Sequence, residues 1–168
     1  LREIFENTDL VIAVHSEDEK IINNNLNEYK LKYGDEIPFH CHPKIRSEEA
    51  CLKSTLKIIE LAKETGARLH VFHLSTKSES LLFGNKTTLN KKKITAEVCV
   101  HHLWFSDEDY KKKQSLIKWN PAVKTKDDRE ALWEALNNDK IDVIATDHAP
   151  HTLEEKSKKY IDCPSGGP

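Results

Sequence analysis

Four short strand-like runs limit how this chain can fold. They are Leu10–Val14, Arg68–Leu74, Ile94–Val100 and Asp142–Thr146. Each is too short for a buried helix and carries β-branched residues, so each reads as a buried strand. Hairpins cannot join them, because the stretches between are long and show helical spacing. From Glu17 to Lys32, apolar residues recur at Ile21, Ile22, Leu26 and Tyr29, and Gly34 closes the helix. Ser47 opens a second helix, with Glu48 and Glu49 in the first turn, where the helix dipole favours anions. Its apolar stripe is Leu52, Leu56, Ile59 and Ala62, and Gly66 stops it. Ser78–Leu89 has helical character that Gly84 and Asn85 weaken. Thr125–Asn138 is a further helix. Thr125 caps it, Asp128 returns the capping-box contact, and Ala131, Leu132, Ala135 and Leu136 face inward. This alternation predicts parallel strands with helices packed outside, an α/β architecture.

In such folds ligands gather at the carboxyl ends of the strands. His15 directly follows the first run, and His73 lies at the end of the second. His101 and His102 follow the third. Asp147 and His148 follow the fourth, with His151 three residues later. One histidine after a strand is ordinary. Four successive strand ends that each deliver His or Asp point to a metal or acid–base site. Imidazole and carboxylate donors suit Zn²⁺ and similar ions, and a set without thiolates keeps positions open for water. Asp147 can bind a metal and also accept a proton. His40 and His42 read as a loop pair before Pro43. His70, three residues before His73, reads as pointing to the opposite face and packing against a helix.

Composition removes other classes. A net charge of −2 and a longest basic run of only Lys91-Lys92-Lys93 argue against a nucleic-acid face. No stretch approaches the roughly 18 apolar residues of a membrane span, and the signal-peptide pattern is missing. Cys41, Cys51, Cys99 and Cys163 form no CxxC pair, which disfavours a disulfide framework and a thiolate zinc site. Cys41, Cys51 and Cys99 sit in apolar contexts and read as small core residues. The setting expected is reducing and cytosolic.

Several motifs occur in order: Val14-His15-Ser16-Glu17-Asp18, His73-Leu74-Ser75-Thr76-Lys77, Ala96-Glu97-Val98 through His101-His102-Leu103, Asn120-Pro121, and Thr146-Asp147-His148-Ala149-Pro150-His151. Together they resemble the dihydroorotases of the amidohydrolase superfamily, in the long bacterial form. The resemblance implies a partial (β/α)₈ TIM-type barrel, roughly strands five to eight with their helices. Residues 1–168 would be the C-terminal half of the barrel domain, cut at both ends. It implies a binuclear zinc centre and the reversible cyclisation of N-carbamoyl-L-aspartate to L-dihydroorotate in pyrimidine synthesis. His15 and His73 match the histidines of the second metal. Asp147 matches the ligand of the first metal that also shuttles the proton. Asn120 matches the residue that hydrogen-bonds the pyrimidine ring, and His151 one that helps bind the substrate carboxylate. Gly166 and Gly167 match a loop whose backbone meets the ring amide. A cytoplasmic homodimer acting on a small molecule is implied, with no nucleic-acid or membrane partner.

The chain departs from the family pattern in places. Ser16 stands where the family often has Cys. Lys124 stands where it often has Arg, which loses the bidentate fork. The family's first-strand HxH pair and bridging carboxylate have no counterpart in the chain. A fragment of this kind is expected to fold poorly and to be inactive alone, with two sheet edges unpaired. Two alternatives are a hydantoinase- or allantoinase-like cyclic amidohydrolase and a catalytically inactive dihydroorotase-like subunit. A helix-rich binding module with incidental histidines would explain none of the strand ends.

Overall fold

One four-stranded parallel sheet carries the fold in the computed structural model, which describes residues 1–168. β1 (Val11–Val14) pairs with β2 (Arg68–Val71) from Val11↔Arg68 to Val14↔Val71. β2 pairs with β3 (Ile94–Cys99) from Leu69↔Ile94, and β3 with β4 (Val143–Ala145) from Glu97↔Val143. The sheet order is β1-β2-β3-β4, the order of the chain. The longer connections hold α1 (Glu19–Tyr33) and α2 (Glu48–Thr65) between β1 and β2, and α3 (Lys126–Asn137) between β3 and β4.

The helix ends follow from their caps. The Asp18 carboxylate accepts from the amides of Lys20 and Ile21, both at 3.1 Å, so α1 begins at Glu19. Glu17 is thereby left outside the helix. Ser47 caps α2 through the Ala50 amide, and Gly66 ends it in the left-handed conformation at φ 73°. Thr125 and Asp128 form the expected reciprocal capping box on α3. Asp128 also accepts from the Lys77 amide at 2.8 Å, which ties the start of α3 to the loop after β2.

The core lies between sheet and helices. Leu69, Val71, Ala96 and Val98 point one way and are fully buried with Ile58, Ile59 and Ala62 of α2 and Leu132 and Ala135 of α3. Side chains alternate along a strand, so His70, Thr95 and Glu97 must point the other way. His70 meets both, with Nδ1 2.8 Å from Thr95 Oγ1 and Nε2 3.0 Å from Glu97 Oε2. The expectation that His70 packs against a helix is therefore wrong. It extrapolated strand alternation to residue 73, whereas β2 ends at Val71.

Other expectations also need correction. The outer strands are not fully buried: Leu10 is 75% exposed and Ile144 55%. Only the face of β1 that carries Ile12 and Val14 packs on the core. Of the expected helix Ser78–Leu89, only the start is α-helical, in the short turn Lys77–Ser80, which ends before Gly84 and Asn85. In α2 the buried face is rotated toward Ala50, Cys51, Thr55 and Ile58, while Leu56 is exposed, because the polar Thr55 belongs to the buried stripe. His40 and His42 lie on a short 3₁₀ turn and the helical turn His42–Ile45, not on a strand. All four cysteines are free and buried.

Candidate metal centre

Parallel strands bring the residues that follow them to one edge of the sheet. His15 is the first residue after β1. Beyond β2, the Phe72 amide donates to the Val14 carbonyl at 3.0 Å, and His73 then turns out of the strand at φ 33°. Asp147, two residues beyond β4, has φ 45°. Left-handed backbone costs a non-glycine residue roughly 1–2 kcal/mol; His73 is held there by its buried surroundings, whereas Asp147 is exposed.

His15 Nδ1 lies 3.0 Å from His73 Nε2, with the rings edge to face. His73 is buried, whereas the His15 side chain is 41% exposed. Burial, and then the neighbouring His15, lower the pKa of His73, and Asp147 opposes them. His73 is thus neutral at pH 7, the form that can donate a lone pair. On its far side, His15 Nε2 lies 3.0 Å from Glu17 Oε2, and the Arg46 guanidinium donates to that same oxygen. The Glu17 side chain is wholly buried. Burial pushes its pKa up, but the His15 hydrogen bond and the Arg46 and Lys124 charges outweigh this and leave it below the ordinary carboxylate range.

Lys124 is buried too, with Nζ 3.0 Å from the Ala122 carbonyl and 3.5 Å from Ser75 Oγ. Beside it lies Glu79, whose pKa burial raises against the opposing effect of donors from Thr76, Thr55 and the Ser75 amide.

Asp147 lines a cleft of about 510 Å³ together with His148, His101, Trp119 and Gly167. His101 stacks on Trp119 with centroids 4.3 Å apart, and burial holds its pKa down to about 4. The His102 ring is buried, with Nε2 3.0 Å from the Pro121 carbonyl.

Of the glycine loop, Gly167 lines this cleft. The His151 amide donates to the Gly167 carbonyl at 2.8 Å, and Lys156 Nζ donates to the Gly166 carbonyl at 2.6 Å. Gly166 has φ 138°, and a Cβ there would collide with the Ala149 carbonyl and sit 2.8 Å from His151 Cδ2. The His151 ring lies 3.6 Å from Glu155. Asn120 lines a different cavity, with His42, Arg46, Lys118 and Tyr160, and its Oδ1 is buried without a partner.

The structure thus joins His15 to His73, and Asp147 to Gly167, but places Asn120 apart from the cleft. The trio whose ligand atoms all fall within 4.8 Å is a different one, Cys99, His101 and His102. Its thiol is pushed up to about 12 by burial and by the nearby Glu97 and Asp147 charges, so it is protonated at pH 7. Glu17, Arg46 and the inward course of Lys124 were missed in the sequence. The available signal was an acid two residues after a candidate ligand, ahead of the Asp18 cap.

The histidine pair fits a metal ion. Two ligands bound at the usual zinc–nitrogen distance across a tetrahedral angle stand about 3.3 Å apart. The observed 3.0 Å is close to that. The outer nitrogen of His15 meets a carboxylate, the common second partner of a ligating histidine.

No family model matches the chain. Among curated proteins, the dihydroorotase of Geobacillus sp. (strain WCH70) is 37% identical over 161 residues, 94% of this chain and 36% of that protein. The dihydroorotase of Deinococcus radiodurans is 35% identical over 158 residues, again 94% of this chain and 36% of the relative. The L-hydantoinase (dihydropyrimidinase) from Arthrobacter aurescens superposes with TM-score 0.88 at 25% identity, over 98% of this chain and 37% of that one. The dihydroorotase from Saccharomyces cerevisiae, solved with 5-fluoroorotic acid, gives 0.63 at 19% identity, over 70% of this chain and 34% of its own. These likenesses identify the four strands and their helices as a segment of the amidohydrolase barrel fold. The chain spans about a third of the length of the curated relatives it matches. Taken over nearly its whole length, the sequence match shows that the chain belongs to the dihydroorotase family.

Proposed function

We propose that the chain is the C-terminal half of a dihydroorotase barrel that interconverts N-carbamoyl-L-aspartate and L-dihydroorotate. The approach of His15 Nδ1 to His73 Nε2 at the strand ends carries this reading. His15 and His73 would hold one zinc ion of a binuclear centre, and Asp147 would serve the other. Zinc bound there would supply Lewis-acid polarisation of the amide carbonyl and activation of water.

The chain's own groups account for the remaining roles. Asp147, open to the cleft, takes up a proton at its carboxylate and delivers it to the leaving ring nitrogen. His151 and the Gly166–Gly167 backbone bind the anionic substrate, an arrangement supported by the 2.8 Å bond from the His151 amide to Gly167. Asn120 supplies a ring contact, for which its unpartnered buried oxygen is the supporting observation. Trp119 and the neutral His101 form an apolar wall beside the reacting group.

Hydantoinases share the fold and superpose well, but at 25% identity or less, against 37% for the dihydroorotase. A homodimeric, cytoplasmic enzyme is the form that the resemblance implies, and light scattering tests the dimer. The deciding experiment assays the complete protein with carbamoyl-aspartate, hydantoin and allantoin, alongside its metal content. Turnover of carbamoyl-aspartate with zinc bound is expected. Turnover of hydantoin or allantoin alone refutes the substrate, and no turnover at all refutes the enzyme.

A further inference from the structure

The buried charges behind His15 have no part in the chemistry described so far. Glu17 touches neither the cleft nor any candidate substrate group. Its Oε2 nevertheless receives both His15 Nε2, at 3.0 Å, and the Arg46 guanidinium. A carboxylate without side-chain exposure is costly unless paired and hydrogen-bonded. Arg46 pairs with it directly, and the Lys124 charge adds to the attraction.

An ionised carboxylate only accepts hydrogen bonds, so the proton between Glu17 and His15 must sit on Nε2. In a neutral ring this leaves Nδ1 with a lone pair, directed at His73 Nε2. Left free, a half-exposed imidazole would populate both tautomers, one of which has Nδ1 blocked by a proton. We propose that Glu17, paired at the same oxygen with the Arg46 guanidinium, is a positioning residue that fixes His15 as the Nε2–H tautomer and so presents Nδ1 to the metal.

This assigns Lys124 a place as well. Where the family often carries an arginine, the chain has a buried lysine that reaches Ser75 and whose charge acts on Glu17 and on Glu79, and it does not line the substrate cleft. A point charge suffices for that task, and no bidentate fork is needed.

The inference rests on His15 being a metal ligand, so the test separates the two claims. In the complete protein, zinc affinity is measured by chelator competition, and the His15 ring tautomer is read from long-range ¹H–¹⁵N spectra of the metal-free form. Glu17→Gln keeps an acceptor oxygen and should weaken binding by less than about tenfold. Glu17→Leu alone strands the Arg46 charge and risks unfolding, so the informative variant is Glu17→Leu with Arg46→Leu, which removes both charges together. It should bind zinc about 10- to 100-fold more weakly, the range for second partners of ligating histidines, and show His15 as a mixture of tautomers. Wild-type affinity with an unchanged tautomer would overturn the proposal. So would a fall in melting temperature with the tautomer intact, since that marks a purely structural role. If His15→Ala loses no zinc, the metal reading fails instead, whatever Glu17 does.

Discussion

Acidification should destabilise the fold through His42. This residue is 1% exposed and bonded on both ring nitrogens: Nε2–H donates to the Trp119 carbonyl at 2.7 Å, and Nδ1 accepts from the Tyr160 hydroxyl at 2.8 Å. Protonation would force Nδ1 to donate and would place a cation near Lys118, Arg46 and Lys124. Burial, more than those cations, lowers the His42 pKa from 6.5 to about 3. Below pH 6.5 the unfolded chain therefore binds a proton at this residue that the folded chain refuses. Stability must fall as pH falls, by about 1.4 kcal/mol per pH unit, until the folded pKa is reached. Between pH 6.5 and 4.5 the loss is about 3 kcal/mol.

The test is urea unfolding of the complete protein across that range, beside His42→Phe. The phenyl ring keeps the volume and cannot titrate. It leaves the Tyr160 hydroxyl and the Trp119 carbonyl without partners, at about 1–3 kcal/mol each, a cost independent of pH. The gap between wild type and variant should thus narrow by about 2–3 kcal/mol from pH 7 to pH 4.5. Parallel curves would refute the reasoning. Folded His42 stays neutral across this range, so its bond to the Trp119 carbonyl persists and the loss appears in stability, not in the activity of the folded enzyme.

Asp147→Ala should abolish turnover even where part of the zinc is retained, because ligand and proton carrier disappear together; metal analysis beside the assay checks it, and residual turnover near wild type refutes it. His151→Ala should leave metal content unchanged and raise KM, whereas loss of zinc would show that the residue has been misassigned. Gly166→Ala meets both a positive φ and contact with His151, so KM should rise about tenfold, in line with about 1–3 kcal/mol of local strain. Leu132→Ala empties a fully buried site between α3 and the sheet and should cost about 2–5 kcal/mol in urea unfolding, with metal affinity intact.

The strands and long helices were legible because apolar spacing and caps are local signals. Thr125 with Asp128, Ser47, Gly34 and Gly66 all act where the pattern puts them. What was hidden depends on geometry outside the pattern. His73 leaves the strand at a positive φ, which alternation cannot foresee, and His70 was misread by the same extrapolation. Glu17 looked like the first residue of a helix until the Asp18 cap moved that boundary by two residues. The pairing of His15 with His73 joins residues 58 positions apart. Only the adjacency of β1 and β2 makes that pair, and sequence motifs supply it by resemblance rather than by derivation.

The agreement between strand order and chain order also bears on how such a protein is made. Each strand leaving the ribosome finds its sheet neighbour already present, so no strand has to wait for a later one or be threaded between two others. The histidine pair is complete once β2 has docked on β1. Asp147, the carboxylate proposed to move the proton, follows only after β4. On the proposed roles, the histidines that would capture an ion come together along the direction of synthesis before the carboxylate that would use it.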